Sequence, residues 1–153
     1  MSFTDWMLAL HLISAFAIAA ALVLFSVMVY SGRRMTTLEE TRMLFRVGPL
    51  GGILIGAGIG LVFLFGVILA LDSRIFNIWD GWVIAGIVLW ALAAGIGQRT
   101  GKYYTDVQKL SEQDGSEAEV LAALRAPTGA LLHLATVGLF VLVVLDMIFK
   151  PGA

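Results

Sequence analysis

Two histidines, His11 and His133, fall inside long apolar stretches of the sequence, where an ionisable side chain is a functional candidate by default. Neutral imidazole is a good axial ligand for haem iron, and two membrane helices could present a pair. His11 lies five residues past Trp6, about 7–8 Å from one membrane interface, and His133 lies six residues past Pro127, about 9 Å from the other. In roughly 30 Å of hydrocarbon the two then differ in depth by about 10–15 Å, which argues against one shared haem. His11 has a second setting. Met7 stands one turn before it, Asp5 just outside, and Asp146-Met147 ends the fourth apolar stretch on the same side. Imidazole with thioether suits copper(I), so Met7 and His11 are the metal candidates. The plainer expectation is that each ring bonds a nearby carbonyl or hydroxyl (Ser14, Thr136), with Asp146 paired to Lys150 one turn on.

The rest of the chain offers little catalysis. There is no cysteine, hence no thiolate nucleophile, disulfide or iron–sulfur ligand, and no redox compartment to read from thiols. No apolar stretch holds an acidic pair, a His-Glu metal motif, or a Ser or Lys beside a base. A net charge of −1 leaves no basic footprint for nucleic acid.

Glycine is the densest signal. Gly48, Gly52, Gly56 and Gly60 recur every fourth residue in the second apolar stretch, with Gly51, Gly58 and Gly66 nearby. Ala93, Gly97 and Gly101 offer a matching stripe in the third, and Ala17 with Ala21 a weaker one in the first. In lipid such small residues let neighbouring backbones approach, a glycine-zipper arrangement. The leading expectation is packing within one bundle; packing between protomers and a glycine-lined pore stay open. Gly56-Ala-Gly58-Ile-Gly60 is not a nucleotide loop, which needs a preceding strand and a phosphate in water.

The elements that position these residues follow from composition. Of the 153 residues 59% are hydrophobic and only 14% charged; mean hydropathy is +0.93. Uncharged runs of 27, 25, 18 and 20 residues separate Asp5 from Arg33, Arg46 from Asp72, Asp80 from Arg99, and Arg125 from Asp146. Each can cross roughly 30 Å of hydrocarbon as a helix. The expectation is one domain over residues 1–153: an all-α, up-down four-helix transmembrane bundle with spans near 6–31, 47–71, 80–99 and 127–149. The glycine-rich second span is expected at its centre. No Lys or Arg precedes Arg33, so the first span reads as a retained helix and not a signal peptide.

Eight of ten basic residues (Arg33, Arg34, Arg42, Arg46, Arg99, Lys102, Lys109, Arg125) fall in the first and third connections, against Arg74 and Lys150 on the other side. The positive-inside rule then puts both termini outside, N-out and C-out, with both longer connections in the cytoplasm, as expected of a plasma-membrane protein. Phe3, Trp6, Phe76, Trp79, Trp82 and Phe149 mark the outer interface; Tyr30, Phe45, Tyr103 and Tyr104 mark the inner one. Short cytoplasmic helices are expected too. Thr37-Leu-Glu-Glu40 and, after the breaker Gly115, Ser116-Glu-Ala-Glu119 both spell capping boxes, and Tyr103, Val107 and Leu110 carry the third span past the membrane. With Asp106, Asp114 and the Glu residues balancing the cations, a solvated face is expected here, a docking surface being the alternative.

The opening Trp6-Met-Leu-Ala-Leu-His11, the Asp80-Gly-Trp82 before span three, the Leu-Arg-Ala-Pro127 before span four and the terminal Ile148-Phe-Lys-Pro-Gly152 together resemble the bacterial domain-of-unknown-function 2269 family, predicted four-helix integral membrane proteins. That resemblance spans nearly the whole chain and implies a four-helix fold with no established activity. The Leu-His of span one also resembles, in style, a family linked to copper resistance and uptake and a protoporphyrinogen oxidase-like haem family. In the latter, haem is held by that His and a Lys in another span; this chain has no Lys within a span.

These readings converge on a non-catalytic accessory or scaffold subunit. Its expected partners are the lipid bilayer and either a second copy or another membrane protein, and it has no resident cofactor. Two alternatives stand beside it: a haem b- or copper-binding redox or transport protein using His11, and a small oligomeric channel or carrier. Low polarity within the spans favours the first, since polar solutes need lining groups.

Overall fold

The computed structural model describes residues 2–72, 77–113 and 116–151. Arg74, Phe76, Asp114, Gly115 and Gly152, which enter the reading above, lie outside them. The described residues form six helices: α1 (Phe3–Gly32), α2 (Leu38–Phe45), α3 (Gly48–Asp72), α4 (Gly81–Glu112), α5 (Glu117–Arg125) and α6 (Pro127–Phe149). Four helical segments, built on α1, α3, α4 and α6, are long and apolar enough to cross a membrane.

Local sequence sets the helix ends. Ser2 and Asp5 close a capping box on α1, as Thr37 and Glu40 do on α2 and Ser116 and Glu119 on α5. Each satisfies two backbone donors that a helix start leaves free. Pro127 opens α6, where its missing N–H is no loss. At the far end Lys150 turns left-handed (φ 42°) and its N–H returns to the Asp146 carbonyl at 2.9 Å; Pro151 then stops the helix.

Packing divides the long helices into two pairs, α1 with α3 and α4 with α6, joined where α1 meets α6. The glycine-rich α3 is therefore not the centre of the bundle. Of the four segments it has the smallest buried share and α1 the largest, because α1 faces both α3 and α6. The α3–α1 contact also uses other glycines than the four-residue series. A Cβ at Gly58 would stand 2.7 Å from Ile18 Cγ1 and 3.3 Å from the Ser14 carbonyl; one at Gly51 would meet Phe25 at 3.1 Å. Gly52, Gly56 and Gly60 have nothing within 4 Å of an added Cβ, and Gly48 only Met28 at 3.6 Å. Gly51 and Gly58 are seven residues apart, the repeat of a left-handed seam; the four-residue series suits the opposite crossing.

One end of the bundle carries α2 and α5 and is capped by a small core of its own, in which Met28, Phe45, Val107, Val120 and Leu124 are buried together. The mixed-charge connections are thus more than a solvated face. Side chains tie them to their neighbours: Arg42 Nε donates to the Ser111 carbonyl (2.8 Å), Arg33 to that of Ala126 (3.2 Å), Arg125 to that of Met35 (3.0 Å), and the Leu38 N–H to Glu117 (3.1 Å). Thr41, Ser111 and Val120 are fully buried there.

Candidate functional site

His133 is more than nine-tenths buried at the joint between the two helix pairs. Its Nε2 lies 2.8 Å from Ser26 Oγ of α1. The Ser26 proton goes to the Leu22 carbonyl one turn back (2.8 Å), so Ser26 accepts and His133 Nε2 donates. One turn along α6, Thr136 Oγ1 stands 3.3 Å from Thr100 Oγ1 of α4. Both threonines also donate to carbonyls of their own helices, Ile96 and Leu132 (3.0 and 2.9 Å). The hydroxyls are held by their own turns and offer lone pairs outward.

These groups lie beside a cavity of about 300 Å³ between α3 and α4. The α1 side chains Leu22, Phe25 and Val29, with His133 and Thr136 of α6, form its floor. One wall is α3 at Gly48, Gly52 and Ile55; the other is α4 at Gly97, Gly101 and Tyr104. The cleft exists because α3 and α4 touch sparsely and because glycine lines both walls. Beyond Ile55 and Gly97 the walls meet, where Phe63 stacks on Trp90 with ring centroids 4.4 Å apart. A mostly apolar hollow of this volume with a few fixed polar groups has the size and character of a small-molecule site.

The mouth lies at the capped end. A second cavity of about 260 Å³ is lined by Arg42, Arg46, Gln108 and Glu112, and shares Phe45, Pro49 and Gln108 with the first. Neither cavity was read from the sequence. The residues were in view without their geometry: Gly97, Gly101, Tyr104, Thr105 and Gln108 share one helical face of α4, but Gly95, Arg99, Lys102 and Asp106 make the opposite face no less small and polar.

His11 sits elsewhere. Its Nδ1 donates to the Val62 carbonyl of α3 at 2.9 Å, and a Cβ at Gly66 would stand 3.1 Å from its ring. Gly66 makes room for the imidazole, and the bond leaves Nε2 as the acceptor nitrogen. Ser26, the partner of His133, is fifteen residues further along α1, about 22 Å at 1.5 Å per residue, so the histidines do not form a ligand pair. Ser14 donates to the Leu10 carbonyl (2.7 Å) and is not the partner of His11. Asp5 is committed to the α1 capping box. Asp146 and Met147 pack on Gly86 of α4, and Asp146 Oδ2 is buried with no hydrogen-bond partner among the described residues. Lys150 Nζ lies 5.4 Å from the Trp82 ring centroid. Among the described residues no group of three or more His, Asp or Glu is placed to hold a metal ion.

Comparison with protein-family models, with curated proteins and with solved structures finds no match to this chain.

Proposed function

We propose that the chain is a non-catalytic accessory protein of a bacterial plasma membrane, both termini outside, that holds an amphiphilic molecule between α3 and α4. The observation that carries this reading is the glycine-walled cleft, mostly apolar, entered from the capped end and closed beyond by Phe63 and Trp90. The 8:2 division of basic residues puts that end in the cytoplasm. The resemblance to the domain-of-unknown-function 2269 family supports the same four-helix reading. Self-association through Gly56 and Gly60, where an added Cβ would meet nothing within 4 Å among the described residues, is a companion proposal about assembly. The test is mass spectrometry of the protein released intact from mild detergent. A molecule retained at one per chain, and lost when Gly101→Leu fills the cleft, supports the proposal; equal retention by both proteins overturns it.

One observation favours a second reading, a haem or copper ion on His11. A ligating imidazole usually donates its other N–H to a carbonyl, and His11 does so to Val62. The structure supplies one preset nitrogen, with Met7 one turn away, and His133 too distant to be the second. An absorption spectrum and metal analysis of the purified protein separate the two readings.

A further inference from the structure

We infer that the occupant of the cleft is an anionic phospholipid of the cytoplasmic leaflet, its phosphate at Arg42 and Arg46 and an acyl chain laid inward toward Thr136. This rests on reading the α3–α4 cleft as a binding site.

Charge and depth carry it. The two cavities share Phe45, Pro49 and Gln108 in their linings, so a hollow edged by Arg42, Arg46 and Glu112 adjoins a mostly apolar one. At the mouth, Arg42 is fixed by donating Nε–H and one Nη–H to the Ser111 carbonyl, which leaves three of its five N–H groups for a ligand. Arg46, next to it, makes no ion pair among the described residues. Glu112 also lines the mouth, but its carboxylate accepts from Gln108 Nε2 at 2.9 Å. The balance is two guanidinium groups against one carboxylate, a setting suited to phosphate, which planar guanidinium binds in bidentate fashion. The first turn of α3 adds the positive end of its dipole beside Pro49.

The interior matches an acyl chain. On the α6 side the cleft reaches Thr136, nine residues past Pro127 and so about 13–14 Å in, close to half of the roughly 30 Å hydrocarbon core. The cleft therefore reaches through one leaflet and ends before the Phe63–Trp90 stack. A free anion would use the mouth alone, and a neutral apolar molecule would use only the interior.

The test compares phosphatidylglycerol with phosphatidylcholine of identical acyl chains, added to the full-length protein in non-ionic detergent, with bound lipid counted by native mass spectrometry. One phosphatidylglycerol per chain is expected, preferred about tenfold over phosphatidylcholine for two facing arginines. Arg46→Gln, at a side chain that forms no ion pair among the described residues, should cut that preference about fivefold, with a smaller loss of phosphatidylcholine binding than of phosphatidylglycerol binding. Gly101→Leu should lower both. Equal binding of the two lipids, still lost in Gly101→Leu, would sink the headgroup assignment while the cleft reading stands. Lipid binding indifferent to Gly101→Leu would remove the cleft reading itself. Competition by millimolar inorganic phosphate as effective as by lipid would reduce the site to an anion site at the mouth, overturning the inference.

Discussion

His133 on α6 donates a 2.8 Å hydrogen bond to Ser26 on α1, a polar link within the α1–α6 joint that unites the two helix pairs. Interhelical hydrogen bonds in membranes average about 0.6 kcal/mol and reach about 1.7. A double-mutant cycle with Ser26→Ala and His133→Phe should give a coupling of about 0.5–1.5 kcal/mol in detergent unfolding. Coupling near zero would mean that the joint is held by packing alone.

The glycines of α3 divide sharply in what they tolerate. Gly58→Ala pushes a methyl to within 2.7 Å of Ile18 Cγ1 and 3.3 Å of a backbone carbonyl, so it should destabilise by about 1–3 kcal/mol. Gly56→Ala meets open space and should be neutral or stabilising by up to about 1 kcal/mol through helix propensity. Gly56→Leu should leave the monomer intact. If self-association uses this stripe, the same change lowers the dimer yield on cross-linking.

That contrast explains what was legible in the sequence. The uncharged runs fall within four helical segments long and apolar enough to cross a membrane, and the Thr37–Glu40 and Ser116–Glu119 pairs open both short helices, because bilayer thickness and helix caps are local constraints. Which face of α3 is buried was not legible. A lipid-facing residue is as apolar as a packed one, so no periodic stripe distinguishes Gly56 from Gly58. The cleft was missed for a related reason: it arises from what α3 and α4 do not touch. His133 stood out as an ionisable residue within a span, but its burial and its partner Ser26 could be found only once α1 and α6 were seen side by side.

The capping box of α2 makes a pH-dependent contribution. The Glu40 carboxylate accepts from the Thr36 N–H at 2.9 Å and also from the Thr37 N–H and the Thr36 hydroxyl, and these bonds, Thr36 first, hold its pKa below the ordinary value of 4.5. A carboxylate depressed in the folded state stabilises fully above the unfolded pKa, and loses that contribution as pH falls through the folded one. Thermal unfolding of wild type and Glu40→Gln should therefore differ in pH slope only below about pH 5. Parallel curves from pH 6 to pH 3 would show that the box contributes nothing to stability.

For His11 the expected result is structural. His11→Ala removes the bond to Val62 and leaves a gap over Gly66, so it should cost about 2–4 kcal/mol in unfolding free energy. The absorption spectrum should not change. A haem band or bound copper in wild type, lost in His11→Ala while lipid retention persists, would move the protein to redox or metal handling.

Orientation can be read directly because the chain has no cysteine of its own. Single cysteines at Thr4, exposed near the start of α1, and at Glu117, exposed at the start of α5, lie at opposite ends of the bundle. A membrane-impermeant maleimide applied to intact cells should label the first and spare the second until the membrane is opened. The Thr4 hydroxyl bonds Asp72 at the end of α3 (2.7 Å), which places this position at the end of the bundle away from α2 and α5. The reverse labelling would put Arg42 and Arg46 outside. The mouth would then face the leaflet poorer in anionic lipid, and the phospholipid assignment would lose its source while the cleft kept its shape.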